Sequence, residues 1–368
     1  MRVLFIRYKK SKGIFEGGEQ GSQQHLDSIA SIVGWTNVDT YYVHDENQGK
    51  TLFGQIKGAV LFLFNYFYGM SPKRVKEIIK MSSDYDVVFI DRSVFGILAK
   101  KLKKAGYKGK VMTFFHNVEV PYFRAKLGNK NPIAPILLRC IDKNDLYSCQ
   151  YSDKIIVLNT RDGNEIARRY GREADYFLPV SFNDKYANES MPSDTLTSKK
   201  PSCLFVGAYF TPNNEGIVWF VKNVLPHVDI DLKIVGKGMA KLKEEEPALK
   251  DICVESDVAD LKPYFEQADI MILPIFKGSG MKVKTCESLM YGKNILGTSE
   301  SYVGYNLDYD KVGGLCDNAK DFINAINGFI ANPRPRFNTY SRNYYMENHS
   351  PESTVKRFRE ILFQDNPD

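Results

Sequence analysis

The chain has 368 residues, enough for two domains and too many for one ordinary hydrophobic core. Hydrophobic residues make up 43% and charged residues 26%, an ordinary globular balance that excludes intrinsic disorder. Fifty basic against 44 acidic residues leave a net charge of +6, too mild to argue for a nucleic-acid partner.

The first segment, Met1-Arg2-Val3-Leu4-Phe5-Ile6, has an unbroken run of four apolar residues before Arg7. That is too short for a signal peptide and reads as a first β-strand. Further strands are expected at Val38–Val43, Val87–Ile90, Val111–Phe115, Ile155–Leu158 and Tyr176–Leu178. Helices fit between them at Gln23–Val33, Phe53–Tyr68, Pro72–Met81, Val94–Lys104, Ile133–Gln150 and Arg161–Tyr170. The polar stretch Ser181–Ser202 breaks the alternation and reads as a linker. The pattern then restarts, with strands at Cys203–Val206, Leu232–Val235, Ile252–Val254, Ile270–Leu273 and Asn294–Leu296. Its helices are expected at Asn214–Leu225, Leu261–Gln267, Lys282–Tyr291 and Ala319–Ala331. A last amphipathic helix, Pro351–Phe363, has Ser350 as its cap. Strand alternating with helix predicts two α/β halves, each a doubly wound parallel sheet that binds ligands beyond the carboxyl ends of its strands.

The longest apolar run, Ala59–Phe67, is interrupted by Asn65. It is far short of the roughly 20 residues a membrane span needs. Cys140, Cys149, Cys203, Cys253, Cys286 and Cys316 include no C-x-x-C pair, and they read as buried free thiols of a reducing compartment. A cytoplasmic protein is expected, with peripheral contact to the inner membrane face as an extension of that reading.

The richest segment for chemistry runs from Phe276 to Ser288, FKGSGMKVKTCES. It follows an apolar strand and opens a helix. Glycines allow close backbone approach, and a helix amino terminus offers unpaired N–H groups to an anion. Lys282 and Lys284 add positive charge that suits a diphosphate. Val283, Cys286 and Met290 share one helix face, which turns Glu287 away from the core. The competing reading is a surface helix with a Lys284–Glu287 pair worth about 0.3 kcal/mol. His116 ends an expected strand in the sequence His116-Asn117-Val118-Glu119; a lone histidine is more often structural, but this position is where such sheets hold ligands. His25, His44, His227 and His349 read as surface or packing residues.

Val258–Pro274, Gly278–Ser288 and Tyr291–Thr298, together with Phe205–Gly216 and Ile234–Gly238, resemble the donor-binding core of family 4 of the retaining glycosyltransferases. The resemblance is strong over Leu204–Asp308 and weaker, in the same order, over the N-terminal half. It implies the GT-B fold: two Rossmann-like domains facing across a cleft and closing on the donor. Expected boundaries are 1–182 for an acceptor-side domain, 183–202 for a linker, 203–345 for a donor-binding domain and 346–368 for a helix crossing back to the first domain.

The resemblance further implies that Glu287 holds the nucleotide ribose and that Lys284 and Lys282 neutralise the donor diphosphate. Backbone amides of Ser279, Gly280 and Met281 would contact sugar or phosphate, and Gly207 would let its loop approach the donor. The glycine loop Glu16–Gly21, with Gly17 and Gly18, would face the diphosphate; the plainer reading is a flexible turn. His116 would touch the donor sugar. Catalytic roles are thus expected for His116, Lys284 and Glu287. The pattern departs from the family at Ser279, where a first acid is missing, at Tyr209–Asn214, where a basic pair is missing, and at Asp257, where a glycine is common.

The expected activity is retaining transfer from a nucleoside diphosphate sugar, a co-substrate, with no cofactor and no metal. The acceptor is expected to be a sugar or lipid-linked sugar of bacterial surface polysaccharide synthesis. A nucleotide-sugar epimerase of the same fold and a non-catalytic sugar-nucleotide-binding subunit are the alternatives. Lys100, Lys101, Lys103, Lys104, Lys108 and Lys110 form either a solvated face or, with Phe62, Phe64 and Phe67, a surface for anionic lipid.

Overall fold

The structure is a computed structural model that describes residues 1–9, 17–44, 52–127, 132–186 and 200–364. Glu16 and 187–199 of the expected linker lie outside the described residues. The chain divides into two compact units: Met1–Pro179 with Thr354–Asp368, and Val180–Ser353.

Unit 1 runs β1 (Val3–Lys9), α1 (Gly17–Val33), β2 (Val38–His44), α2 (Leu52–Leu63), α3 (Pro72–Ser82), β3 (Val87–Ile90), α4 (Gly96–Lys104), β4 (Lys110–Phe115), α5 (Glu119–Leu127), α6 (Ala134–Tyr151), β5 (Lys154–Val157), α7 (Thr160–Tyr170) and β6 (Tyr176–Phe177). The six strands are parallel in the order β2-β1-β3-β4-β5-β6, which reverses direction between β1 and β3. Leu4 and Ile6 of β1 enter one core, with Val88 and Ile90 of β3; Val3 and Phe5 enter another, with Phe89 and Phe114. The period of two sends alternate side chains to opposite faces, so both faces are covered.

Unit 2 runs β7 (Ser202–Val206), α8 (Thr211–Asn223), β8 (Asp231–Gly236), α9 (Met239–Glu245), β9 (Cys253–Ser256), α10 (Lys262–Gln267), β10 (Ile270–Leu273), α11 (Val283–Met290), β11 (Asn294–Gly297), α12 (Tyr309–Val312), β12 (Gly313–Leu315), α13 (Ala319–Ala331) and α14 (Thr339–Asn348). Its parallel order is β12-β11-β10-β7-β8-β9, the common dinucleotide-binding order, with the reversal between β7 and β10. α8 can lie close to the sheet because Gly216 has no side chain: a Cβ there would stand 1.9 Å from the Pro274 carbonyl oxygen.

The final helix, α15 (Pro351–Phe363), starts at Ser350, whose Oγ accepts from the Ser353 N–H at 3.2 Å. Phe358, Ile361 and Leu362 are buried in a unit 1 core. Buried Lys154 donates to the Ile361 carbonyl at 2.7 Å and to that of Gln364, placing a cation where the helix dipole is negative.

Several elements differ from expectation. α2 stops at Leu63, short of Tyr68, because Asn65 takes a left-handed φ of 63°. α1 begins at Gly17, so Gly17, Gly18 and Gly21 lie in helix and not in a glycine loop; burial of Ser22, Gln24, His25 and Leu26 outweighs poor propensity. α5 went unexpected because Pro121 reads as a breaker, yet a proline is tolerated in a first turn. α14 buries only Ser341 and Tyr345, so it lacks an apolar stripe. β12 consists of two glycines and a leucine, with no strand signal. All six cysteines are free, but Cys253 is exposed, against the expected burial, because β9 is an edge strand.

Candidate functional site

In unit 2 the expected residues gather where the strand order reverses. The loop after β7 carries Gly207, and the loop after β10 leads into α11 with Lys282, Lys284 and Glu287. Lys284 joins the two: its Nζ donates to Asn213 Oδ1 at 2.5 Å and lies 4.7 Å from the centre of the Phe205 ring. Asn213 is itself fixed by donating to the Ala208 carbonyl at 2.8 Å. A Cβ on Gly207 would stand 3.0 Å from Phe205 and 3.1 Å from Asn213, so glycine keeps the lysine's seat open.

These surroundings are low in countercharge. Burial holds the Lys284 ammonium down to about 7, opposed by the nearby Glu287. Burial pushes the Glu287 carboxyl above its usual range, opposed by Lys185 and Lys284. Among the described residues no ion pair includes either side chain, so the Lys284–Glu287 pair of the competing reading does not form. The core face of α11 is Cys286, Leu289 and Met290, all buried, with Glu287 half-buried beside them.

Lys282 behaves differently from Lys284. It is the residue before α11, not part of its first turn. Its Nζ donates to Glu300 Oε1 at 2.6 Å and to the Gly280 carbonyl at 2.9 Å, with side-chain exposures of 10% and 19% for Lys282 and Glu300. Its backbone carbonyl accepts from Tyr305 Oη at 2.8 Å. Ser279 is exposed, Gly280 takes a left-handed φ of 61°, and Met281 is buried. Asp257 also stands in the left-handed region at φ 56°, the conformation a glycine there would supply, with its carboxylate accepting from the Gly238 N–H.

In unit 1 the reversal between β1 and β3 also collects polar side chains. Asp91 follows β3, His116 follows β4 and His25 lies on α1. Asp91 Oδ1 is 2.9 Å from His25 Nδ1, and Asp91 Oδ2 is 3.4 Å from His116 Nε2. The Phe114 ring stands edge-on to both imidazoles, with centroids 4.4 Å from His25 and 4.7 Å from His116. Phe358 of α15 packs on His25 at 5.6 Å. Burial would raise the Asp91 carboxyl, but His116 and then His25 outweigh it and hold the group well below the usual carboxylate range. Burial lowers His116, opposed by Asp91. Among the described residues these three form the one group of His, Cys, Asp and Glu with ligand atoms all within 4.8 Å of one another. The carboxylate is divided between the two rings: Oδ1 is hydrogen-bonded to His25, while Oδ2 faces His116 Nε2 at 3.4 Å as a charge contact, both of those atoms being buried without a hydrogen bond.

Sequence reasoning missed Asp91, His25, Asn213 and Glu300. Asp91 ends a strand in Phe89-Ile90-Asp91, a readable signal. His25 sits one turn before Ile29 and so shares its inward face, but no motif adjoins it. Asn213 and Glu300 carry no local signal; only folding brings them to the two lysines. Among the remaining histidines, His227 is exposed and His349 is buried, with Nδ1 2.7 Å from the Val180 carbonyl. A surface cavity of about 700 Å³ lies by the amino ends of the unit 1 strands, lined by Tyr85, Tyr107 and Lys108 among others, and includes none of the candidate site residues.

Residues 200–332 match the family model described as Glycosyl transferases group 1. No curated protein matches the chain. Among solved structures, the chain is similar to sucrose-phosphate synthase from Thermosynechococcus elongatus, with 13% identity, 99% of this chain and 98% of that one covered, and a TM-score of 0.67. A glycosyltransferase from Rickettsia africae is similar at 14% identity, 99% and 98% coverage and a TM-score of 0.64. So is Anabaena HepE, solved with UDP-glucose, at 11% identity, 98% and 99% coverage and a TM-score of 0.63. The chain is a glycosyltransferase with the GT-B fold, carrying a group 1 glycosyltransferase domain over residues 200–332.

Proposed function

We propose that the chain moves a glycosyl group from a nucleoside diphosphate sugar to an acceptor hydroxyl with retention of configuration. The observation that carries this reading is Lys284: a half-buried ammonium at the reversal point of the unit 2 sheet, whose direct contacts, Asn213 and Phe205, are neutral. The donor diphosphate would supply its countercharge, in the first turn of α11, where the N–H groups point outward. Glu287 would accept from the ribose hydroxyls. Lys282, held by Glu300, would stand beside the diphosphate with most of its charge already answered.

In the reaction, the bond from the anomeric carbon to the diphosphate oxygen breaks and the bond to the acceptor oxygen forms on the same face. The acceptor proton passes to the departing diphosphate. Lys284 and the amino end of α11 stabilise the charge that develops there. His116, held by Asp91, would orient the sugar. HepE, similar in fold, was solved with UDP-glucose, which supports a nucleotide-sugar donor for this chain.

We also propose a lipid-linked acceptor of surface polysaccharide synthesis, reached by peripheral contact with an anionic membrane. No helix among the described residues is long and apolar enough to cross a membrane. Phe62 and Phe67 are buried in the unit 1 core, which removes them from any such surface. Val60, Leu63 and Phe64 replace them: they are spaced i, i+3 and i+4, and are 47%, 51% and 66% exposed. In the lysine cluster, Lys103 is paired with Asp153 and Lys100 lies 3.8 Å from the centre of Tyr147, while Lys101, Lys104 and Lys108 are exposed.

Incubation with UDP-, GDP-, ADP- and dTDP-sugars tests the enzymatic reading. Slow release of a nucleoside diphosphate from one donor, accelerated by acceptor, is the expected result. A changed sugar without acceptor would establish an epimerase, and neither reaction, with binding alone, a non-catalytic subunit.

A further inference from the structure

The carboxylate of Asp91 serves two imidazoles at once. It is 1% exposed and lies between His25 Nδ1 at 2.9 Å and His116 Nε2 at 3.4 Å. The two rings do not stack on each other; their centroids are 5.8 Å apart, and Phe114 stands edge-on against both. A carboxylate held ionised donates nothing, so His25 presents its Nδ1–H to Oδ1, and the negative charge on Oδ2 favours the His116 tautomer protonated on the facing Nε2. For His116 this places the proton on Nε2 and leaves Nδ1 with the lone pair. The charge of Asp91 is likewise divided, because each oxygen answers a different ring.

We propose that His25 is a positioning residue for His116: it takes one oxygen of Asp91, fixes the orientation of the carboxylate, and limits how much of its negative charge reaches His116. The proposal rests on the reading that His116 acts on the donor sugar. The charged groups acting on His116 are few. Asp91 favours its protonation, while Arg92, beside Asp91 on the same loop, and His25 oppose it. Phe114 and Phe358 close the apolar sides of the His25 ring. With His25 present, burial and a shared carboxylate keep His116 neutral, with a lone pair free to accept a sugar hydroxyl. Without His25, Asp91 would serve His116 alone, and the imidazolium would gain a full partner.

The test is a proton NMR titration of the histidine Cε1–H signals in the full chain, which has five histidines. His25→Phe keeps the ring volume and removes the N–H. The His116 midpoint should rise by about one pH unit, the coupling typical of neighbouring sites that share a partner. His25→Asn restores an N–H close to the place of Nδ1 and should return the midpoint most of the way to wild type. The acid limb of the turnover profile should move with the midpoint in each variant. An unchanged or lowered midpoint in His25→Phe overturns the proposal, as does His25→Asn behaving like His25→Phe. A cobalt(II) absorption band that depends on His25 would also overturn it, by showing a metal site in place of a shared carboxylate. The NMR readout is independent of turnover. A shifted midpoint with turnover indifferent to His116 would preserve the shared carboxylate and defeat the sugar-binding reading; the reverse result would do the opposite.

Discussion

The two units place polar side chains at the same topological point but balance charge in opposite ways. In unit 1, Asp91 is answered by two imidazoles within 3.4 Å, and the cluster is closed by Phe114 and Phe358. In unit 2, Lys284 touches a neutral amide and an aromatic face, and Glu287 has no ion-pair partner among the described residues. A compensated cluster resists ionic ligands and holds a ring in place. An uncompensated ammonium in a partly desolvated pocket favours an incoming anion, because the cost of burying its charge has already been met by the fold. The contrast assigns geometry to unit 1 and charge to unit 2.

The variant with the largest expected effect is His116→Ala. If unit 1 supplies geometry for the reacting sugar, turnover should fall roughly 100-fold while nucleoside diphosphate affinity stays near wild type. Steady-state rates paired with calorimetry measure both. Parallel loss of the two would erase the division of labour.

Lys284→Ala should lower nucleoside diphosphate affinity about tenfold, in line with loss of a charge-assisted hydrogen bond worth about 1.4 kcal/mol. The pH dependence sharpens this. In the free protein Lys284 loses its proton around pH 7, and a bound diphosphate should raise that point. Affinity should therefore be fully developed below pH 7 and decline as pH rises above it. At pH 8 binding should take up protons, which calorimetry in buffers of different ionisation enthalpy detects. Binding without proton uptake at pH 8 would show that Lys284 does not meet the phosphate.

For Glu287→Gln a smaller loss is expected, about 1 kcal/mol of nucleotide affinity. Stability should not fall with it. Burial raises the Glu287 carboxyl in the folded state, so at neutral pH its ionised form opposes folding, and the amide removes that opposition. An unchanged or slightly higher Tm with weaker binding is the expected pair of results; weaker folding with intact binding would make Glu287 structural.

The smallest effect concerns the surface of unit 1. Phe64→Ser should reduce binding to anionic vesicles a few-fold at low salt, and raising salt should weaken it further, since exposed lysines act over about a Debye length. Wild-type partitioning that ignores both lipid charge and Phe64 would leave the lysines as a solvated face.

Much of the architecture could be read along the chain. The strands Val87–Ile90 and Ile270–Leu273 stand as expected, because a fully buried parallel strand is a continuous apolar run between polar turns. The same holds for α13 and α15, each marked by a capping residue and an amphipathic stripe. Elements without such signals were lost. β12 is held by pairing with β11, and α14 packs chiefly through Tyr345, which is fully buried and donates to the Phe182 carbonyl. The expected glycine loop at Gly17–Gly18 is helical because packing of His25 and Leu26 extends α1 backwards. The candidate residues were read from local context alone: Lys282, Lys284 and Glu287 follow the glycines of their own loop, and His116 ends a strand.

What the sequence determined unaided was local: hydrophobic period, caps, and the loop-to-helix segment that brings lysines to a helix amino terminus. These depend on neighbours within a turn or two, where spacing alone sets direction. The balance of charge was decided elsewhere. That Lys282 meets Glu300, 18 residues away, while Lys284 meets Asn213, 71 residues away, follows from the order in which strands pair. That His25 and His116 share Asp91 follows from α1, β3 and β4 converging on one end of a sheet. Electrostatic interactions depend on separation and burial in space, and only the folded chain sets those.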